Sequence, residues 1–392
     1  MIPSFDRVII LADESANWKV AGLRQLDRLA LALDEFARSI SSQRKIDIFI
    51  FWRPDTAAAD RWTPTHPRLT RCHFVEGLSV GAQQRFLNTR MLVKRGALEQ
   101  MLRDRFSLDS DPTLGDESGV WETLWRLVES PGAGASGGDW RYLTNVGDVS
   151  AAEDWLLRGT GKSRDGIVSR YLNRPISRAV SRVLLKTSMT PNLWTILITA
   201  FPLIGFLFLI RGTYSGFVIG ALLFNVQSIL DGCDGEIARA KYLDSEKGPG
   251  IDAIGDLISL LLFSIGLGFG LFRGAQPSAV GHWIFVIEGV LTAFFLVLRL
   301  GPDHVFDLLR RGPVAVKSTE NDERLRASGG QVFGHRITSW AFELTKRDVV
   351  FLAFVIAAAV GLAQWTLHLL FGFALVTLIL SWRGRASRET IA

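Results

Sequence analysis

The spacing of apolar residues divides the chain into two parts. Up to about Arg182, short apolar stretches alternate with charged residues, whereas from Leu193 onward long apolar runs recur, each near the ~20 residues that cross a bilayer as a helix. This change of pattern predicts a cytosolic domain over residues 1–160 and a membrane domain over 191–383. We expect the start of the chain to be a buried strand rather than a signal peptide, because it lacks a basic leader and a cleavage site.

The first part carries the pattern of a small α/β domain. Residues 7–12 (RVIILA) and 46–52 (IDIFIFW) are short apolar runs that predict buried strands. The segment between them has apolar side chains at helical spacing, including Leu26, Leu29, Leu33 and Phe36. Strand, helix and strand in this order predict a βαβ unit. Further helices are predicted near 93–104 and 150–158.

The segment 161–190 joins the two parts and contains an arginine repeat. Arginines recur every fourth residue, with apolar side chains on the opposite face of a helix: Arg170, Arg174, Arg178 and Arg182 against Val168, Leu172, Ile176, Val180 and Leu184. This pattern favours a helix in the membrane interface with its arginines beside lipid phosphates. The alternative is an amphipathic helix packed on the soluble domain.

Six membrane spans are predicted. They lie at roughly 192–211, 216–239, 250–272, 279–300, 348–365 and 367–383, and the last two are separated by the polar residues Gln364, Trp365, Thr366 and His368. Basic residues concentrate in the 301–347 connection and in the tail 384–392. An even number of spans puts these segments and both termini in the cytoplasm, as the positive-inside rule requires. The predicted location is the inner (plasma) membrane.

The charge and the cysteine content indicate which partners and cross-links to expect. The formal charge is +5, but the basic residues cluster beside the apolar runs, which favours anionic lipid over nucleic acid as the partner. The chain has only Cys72 and Cys233, one in each part, so no disulfide framework is expected.

Four aspartates in the second and third predicted spans are the strongest functional signal. At 100° per residue, Asp231 and Asp234 share one face of a helix, and Asp252 and Asp256 share a face of the next. Acids inside a span cost roughly 2.5–3.5 kcal/mol each on insertion scales, so they normally face a cavity and serve a function. Oxygen ligands without nearby His or Cys favour Mg²⁺ or Mn²⁺, and a pair of ions suits phosphoryl transfer.

The segment that holds these acids resembles a known signature. It contains D-x-x-D-G-x-x-A-R, eight residues, and then G-x-x-x-D-x-x-x-D, preceded by TPNLWT at 190–195. It resembles the CDP-alcohol phosphotransferases, also called CDP-alcohol phosphatidyltransferases, without a departure at any defined position. The resemblance covers roughly 165–383. It implies a membrane all-α domain of six helices, preceded along the chain by the cytosolic α/β domain.

The resemblance implies roles for the matching residues. Asp231 and Asp252 would bridge two metal ions, Asp234 would complete one site, and Asp256 would bind the second ion and act as the base on the acceptor hydroxyl. Contacts to the CDP donor are implied for Asn192, Thr195, Gly235, Ala238, Arg239, Ser245 and Gly248. The implied reaction moves a phospho-alcohol group from a CDP-linked donor to an acceptor alcohol or polyol phosphate and releases CMP. The resemblance also allows a homodimer.

Other polar residues permit two interpretations each. Lys346 and Arg347 either anchor the fifth span at the cytoplasmic face or bind an acceptor phosphate. Glu288, midway along the fourth span, either packs against a polar partner such as Asn225 or Gln227 or contacts substrate. The G-x-G-x-x-G match at 132–137 lacks a preceding strand and is interpreted as a loop.

The N-terminal domain resembles the nucleotidyltransferase domain fused to some inositol-phosphate members of this family. Its opening strand and helix match, but residues 13–18 (DESANW) replace a glycine-rich phosphate loop. Backbone amides then have difficulty reaching a triphosphate, so the domain is interpreted as a degenerate nucleotidyltransferase. Two alternatives stay open: a bifunctional enzyme that also makes the CDP-alcohol, and a non-enzymatic transporter or scaffold whose acids form a cation path.

Overall fold

The computed structural model separates into two compact units. The first comprises Met1–Thr160, Leu185–Thr187 and Arg239–Tyr242, and the second comprises Gly161–Leu184, Ser188–Ala238 and Leu243–Ala392. The structure describes residues 7–40, 45–76, 84–98, 102, 117–129, 138–158, 166–245, 247–275, 281–300, 334–344 and 346–389. The predicted loop at 132–137 and most of the 301–347 connection lie outside these residues.

The first unit is built on a parallel sheet. Strand β1 (Arg7–Ala12) pairs in parallel with β4 (Ile46–Trp52) and β6 (Gln84–Asn88), and β4 pairs in parallel with β5 (Cys72–Phe74). Helix α1 (Gln25–Ile40) connects β1 to β4. The predicted βαβ unit is therefore confirmed.

Burial explains why these segments adopt this order. Every residue of β1 after Arg7 is buried, as a central strand covered on both faces requires. The predicted apolar stripe of α1 is buried in the same core: Leu26, Leu29, Leu33 and Phe36. A helix over a parallel sheet buries its apolar stripe in this way.

Smaller elements complete the unit. Two antiparallel pairs are formed by β2 (Lys19–Val20) with β3 (Leu23–Arg24) and by β7 (Met91–Val93) with β8 (Trp140–Tyr142). Helices α2 and α3 span Glu117–Glu129 and Asp148–Arg158, and α3 confirms the helix predicted near 150–158. The helix predicted to start near residue 93 is wrong at its beginning, because Val93 ends a strand and a turn follows; residues 99–101 and 103–104 lie outside the described part.

The regular secondary structure in the described residues of the second unit is helical. A short π-helical stretch, Ser169–Asn173, leads into α4. The helices are α4 (Arg174–Leu184), α5 (Pro191–Ile198), α6 (Ala200–Leu209), α7 (Tyr214–Leu230), α8 (Gly232–Lys241), α9 (Gly248–Gly274), α10 (Trp283–Leu300), α11 (His335–Leu344), α12 (Arg347–Ala359) and α13 (Ala363–Glu389).

Four helical stretches are long and apolar enough to cross a membrane. They are Pro191–Leu209, Tyr214–Lys241, Gly248–Gly274 and Ala363–Arg383, and the shorter apolar helix Trp283–Leu298 accompanies them in the described part of the chain. The break predicted around residues 364–368 lies earlier. Gly361 has a φ of +77° between α12 and α13, so the polar residues 364–368 belong to α13.

Helix α4 packs with its polar side inward. Asn173, Arg174, Ser177 and Ser181 are buried, while the apolar residues Leu172, Ile176 and Val183 are exposed. The expectation that the arginines lie together beside lipid phosphates is wrong for Arg174, because that residue pairs with a buried carboxylate. The exposed apolar side chains are compatible with a helix in the membrane interface.

Candidate active site

Three of the predicted aspartates converge. Asp231 lies where α7 ends, and Asp252 and Asp256 lie one turn apart on α9. One carboxylate oxygen from each of the three lies within 4.8 Å of the others. Such a set of oxygen donors fits a hard divalent cation, since like charges at this distance need positive charge between them.

An aromatic cluster fixes the helices that carry this site. The rings of Phe224 on α7, Phe263 on α9 and Phe351 on α12 are all buried, with centroids 5.2–5.4 Å apart. Phe224 precedes Asp231 by two turns, and Phe263 follows Asp256 by two turns, so each acid lies on the face that its helix packs into the cluster. The aromatic packing therefore sets the distance between the two acids.

Arg347 lies among the aspartates. Its Nη2 donates to Asp231 Oδ2 at 2.5 Å, and its Nη1 contacts Asp256 Oδ1. Arg347 begins α12 one turn before Phe351, so the same aromatic contacts position it. A cationic group thus already bridges two of the carboxylates, which supports interpreting this space as a cation site.

Asp234 lies beside the three-aspartate cluster and not within it. Its Oδ2 accepts a hydrogen bond of 2.8 Å from Thr195 Oγ1, on α5. Thr195, which was predicted to contact the donor, therefore also holds one of the four acids. Of the predicted metal ligands, three gather in the structure, and the fourth is turned to a hydroxyl.

Three of the other predicted donor contacts lie around the start of α9, and the remaining three lie on α8. A Cβ placed on Gly248 would lie 3.2 Å from Ser245 Oγ and 3.9 Å from Asn192 Oδ1. The glycine therefore leaves room beside two polar side chains, and the structure brings Gly248, Asn192 and Ser245 close together. Gly235 and Ala238 follow Asp234 on α8, and Arg239 follows in turn and belongs to the first compact unit.

A cavity of about 430 Å³ in the first unit has a basic lining that includes Arg239.

A separate cavity of about 600 Å³ opens beside Asp256 in the second unit, with Lys346 and Arg347 at the same polar end. Its remaining walls are mostly apolar and include Leu260, Val350 and Phe373. Lys346 Nζ pairs with Glu343 Oε1 at 2.7 Å, whereas Arg347 contacts Asp231 and Asp256. This cavity is the space next to the acids in which a substrate can lie.

Sequence reasoning missed two polar pairs in the second unit. Glu288 pairs with His368 Nδ1 at 2.7 Å, so it has a polar partner, but that partner is His368 and was not among the predicted examples; Gln227 accepts from Ser259. Arg174 pairs with Glu236 at 3.0 Å. The signal for Arg174 was available in the sequence, because Ser177 and Ser181 follow it at helical spacing and mark a small polar face.

The carboxyl end of the N-terminal sheet holds another acid. Asp13 is buried and accepts hydrogen bonds from the amide and hydroxyl of Ser15, from Thr89 Oγ1 at 3.2 Å and from Arg90 Nε at 2.9 Å. It caps a 3-10 turn, Glu14–Asn17, formed by the segment that replaces the glycine-rich loop. The Arg90 guanidinium lies 5.7 Å above the Trp18 ring. Asp13 thus has its oxygens engaged within the fold.

Residues 188–314 match the family model described as CDP-alcohol phosphatidyltransferase, and this span contains all four aspartates. The predicted resemblance is confirmed. Similar proteins include a "Bifunctional IPC transferase and DIPP synthase" of Rubrobacter xylanophilus, 35% identical over 185 residues, and one of Archaeoglobus fulgidus, 35% identical over 142 residues. The first alignment covers 46% of this chain and 41% of the relative, and the second covers 35% and 27%. The chain therefore matches less than half of the length of either relative.

Proposed function

We propose that this chain is an integral-membrane CDP-alcohol phosphotransferase. It moves a phospho-alcohol group from a CDP-linked donor to the hydroxyl of an acceptor, and CMP leaves. The observation that carries this proposal is the convergence of Asp231, Asp252 and Asp256 within 4.8 Å, inside the segment that matches the family model. A transporter or scaffold needs no such match to a nucleotide-transferring family.

The aspartates would hold the divalent cations, Mg²⁺ or Mn²⁺, as a pair. Asp231, Asp252 and Asp256 would be ligands, and Asp234 would join them by turning from Thr195. The ions would supply positive charge to the phosphate oxygens of the donor. The donor set supports this assignment, because carboxylate oxygens are the ligands that these cations prefer.

Asp256 is proposed as the base that accepts the proton of the acceptor hydroxyl. Its side chain is 38% exposed, against 16% for Asp231, and it lines the 600 Å³ cavity. A base must reach the proton that it removes, so exposure toward a substrate space favours Asp256 over Asp231. The hydroxyl oxygen would then attack the β-phosphorus of the donor as the bond to CMP breaks.

Arg347 and, less directly, Lys346 are proposed to bind an anionic acceptor. Arg347 presents its guanidinium at the polar end of the cavity, where it can move from the carboxylates to a phosphate once cations bind the acids. Asn192, Thr195, Gly235, Ala238, Arg239, Ser245 and Gly248 are proposed to surround the CDP group. The apolar cavity walls also accommodate hydrocarbon, so the assay includes donors with diacylglycerol and donors with a polar alcohol.

The proposed topology has six spans with both termini in the cytoplasm. It adds α10 and the short α12 to the four candidate spans, on the strength of the basic segments at 301–347 and 384–392. Reporter fusions at residues 1 and 392 test it. A C-terminus outside the cell would require an odd number of spans.

The N-terminal domain is proposed not to synthesise the CDP-alcohol. The relatives are named for two activities, but here Asp13 is engaged with Arg90, and Trp18, which ends the segment that replaces the glycine-rich loop, lies under the Arg90 guanidinium. The bifunctional alternative predicts pyrophosphate release from CTP and a polyol phosphate by the full chain. Such release would promote that alternative.

The decisive experiment measures Mg²⁺-dependent CMP release by the purified full chain. Replacing Asp231, Asp234 and Asp252 together with Asn removes negative charge and keeps side-chain volume, so metal binding should fail while packing persists. CMP release at the normal rate by this variant would disprove the metal assignment. The Asp47→Asn variant, at a partly exposed acid of the first unit, is the matched control.

A further inference from the structure

A buried ion pair joins α4 to α8, the helix that carries Asp234. Glu236 is fully buried, and its Oε1 accepts from Arg174 Nη1 at 3.0 Å and from Ser177 Oγ at 2.9 Å. Both donors belong to the polar, inward face of α4. No predicted site residue takes part in this contact.

The backbone of α8 approaches α4 closely at the same place. Cys233 Sγ donates to the Ser177 carbonyl at 3.4 Å. A Cβ on Gly232 would lie 3.2 Å from Arg174 Nη1 and 3.3 Å from Ser177 Oγ, a tight fit against two polar atoms. A glycine at 232 thus allows the guanidinium to reach Glu236.

Helix α8 therefore has two functional faces. At about 100° per residue, Gly232, Cys233 and Glu236 share one face, and Asp231 and Asp234 lie roughly opposite it. Asp231 has helical backbone angles, so the helical path runs on from α7 into α8. A contact that holds the Glu236 face fixes the rotation of α8 about its axis, and with it the direction of the Asp231 and Asp234 carboxylates.

We propose that Arg174 and Ser177 are positioning residues for the cation site and act on it through Glu236. The effect of these residues on catalysis rests on the proposed function. Their effect on the affinity of the aspartates for a divalent cation can be measured without it. An arginine suits this role because its planar guanidinium fixes direction as well as charge. Partners that orient metal ligands from behind typically change metal affinity or activity by about 10–100-fold when they are removed.

The test measures Mn²⁺ binding to the purified full chain by the electron paramagnetic resonance signal of free Mn²⁺. Glu236→Gln and Arg174→Met should weaken binding by about 10–100-fold. Ser177→Ala, which removes one hydrogen bond and keeps the ion pair, should weaken it less and covers the case in which the charge variants do not fold. Arg170→Met is the control, because Arg170 is an exposed arginine one turn before Arg174, and it should bind as the wild type does.

A double variant separates positioning from simple charge balance. Arg174→Met with Glu236→Leu removes both buried charges, so thermal stability should recover relative to either single variant. Mn²⁺ binding should stay weak, because the directional contact is still missing. Recovery of wild-type binding in the double variant, or unchanged binding in Glu236→Gln or Ser177→Ala, would overturn the proposal.

CMP release measured on the same proteins distinguishes failure of the positioning role from failure of the proposed function. If the wild type binds Mn²⁺ and Glu236→Gln weakens that binding, the positioning role stands even when no CMP is released and the proposed function fails. If the wild type binds no Mn²⁺, the positioning role fails as well.

Discussion

The two units of this protein each place an aspartate and an arginine together, with opposite consequences. In the first unit, both Asp13 oxygens are engaged by Ser15, Thr89 and Arg90, and Asp13 is almost fully buried. In the second, Asp231 and Asp256 share one arginine with a third acid close by, at the edge of a cavity. A carboxylate whose oxygens are all hydrogen-bonded within the protein stabilises the fold. Several carboxylates close together, with less positive charge than negative, attract a cation. Chemistry is therefore expected in the second unit.

The largest expected effect comes from removing a shared carboxylate in the second unit. Asp231→Asn should reduce CMP release below detection, because Asp231 is proposed to hold the cations. Circular dichroism and thermal unfolding of the same protein should show that the helices persist. Substantial CMP release by this variant would remove the distinction between the two units.

Asp256→Asn should lower turnover by ~10²–10⁴-fold, the usual consequence of losing a general base. Binding of Mn²⁺ and of the CDP-linked donor should persist in a weakened form, since three acids remain. Equilibrium binding beside steady-state kinetics separates the two quantities. Equal loss of donor binding in Asp256→Asn and Asp231→Asn would reduce Asp256 to a plain metal ligand.

In the first unit, Asp13→Asn should affect stability and leave CMP release unchanged. The substitution removes the buried carboxylate partner of Arg90 and leaves the exposed Glu14, 3.6 Å away, as a neighbouring carboxylate, at a cost of ~3 kcal/mol in the free energy of unfolding. Thermal unfolding followed by tryptophan fluorescence measures the change, with the partly exposed Asp47→Asn as the control. Loss of CMP release at full folding would assign Asp13 a chemical role and contradict the comparison.

The smallest effect concerns alkaline pH. Burial, followed by the charge of Asp34, raises the pKa of the Cys72 thiol well above its ordinary value, and the thiol donates to the Ala30 carbonyl. Above about pH 9 the unfolded state loses the thiol proton while the folded state keeps it. The free energy of unfolding therefore falls by ~1.4 kcal/mol for each pH unit above that value.

Cys72→Ala should remove this part of the slope. The comparison is the free energy of unfolding of the wild type and the variant between pH 8 and pH 10.5. Parallel curves would show that the folded thiol ionises as freely as the unfolded one.

Much of the fold could be predicted because its signals are local. The strands RVIILA and IDIFIFW and the stripe of Leu26, Leu29, Leu33 and Phe36 carry their periodicity in the sequence, and the structure buries them accordingly. The turn between α12 and α13 was misplaced because polar residues were weighted above Gly361. A positive φ at a glycine ends a helix more directly than a few polar side chains do.

The candidate site could be predicted in part for a similar reason. Helical spacing brings Asp252 and Asp256 to one face, and the signature fixes which other helix faces them. Arg347 follows Asp256 by 91 positions, and Arg174 precedes Glu236 by 62, so no local pattern joins either pair. Those contacts depend on how α12 and α4 pack, which periodicity does not specify.

The most direct test of the account counts two products from one protein. The purified full chain is supplied with Mg²⁺, CTP, a CDP-linked alcohol and a panel of acceptor alcohols and polyol phosphates, and CMP and pyrophosphate are both measured. The account predicts CMP release that EDTA abolishes and Asp231→Asn eliminates, with no pyrophosphate. Pyrophosphate from CTP without any CMP would place the chemistry in the first unit and contradict the central claim.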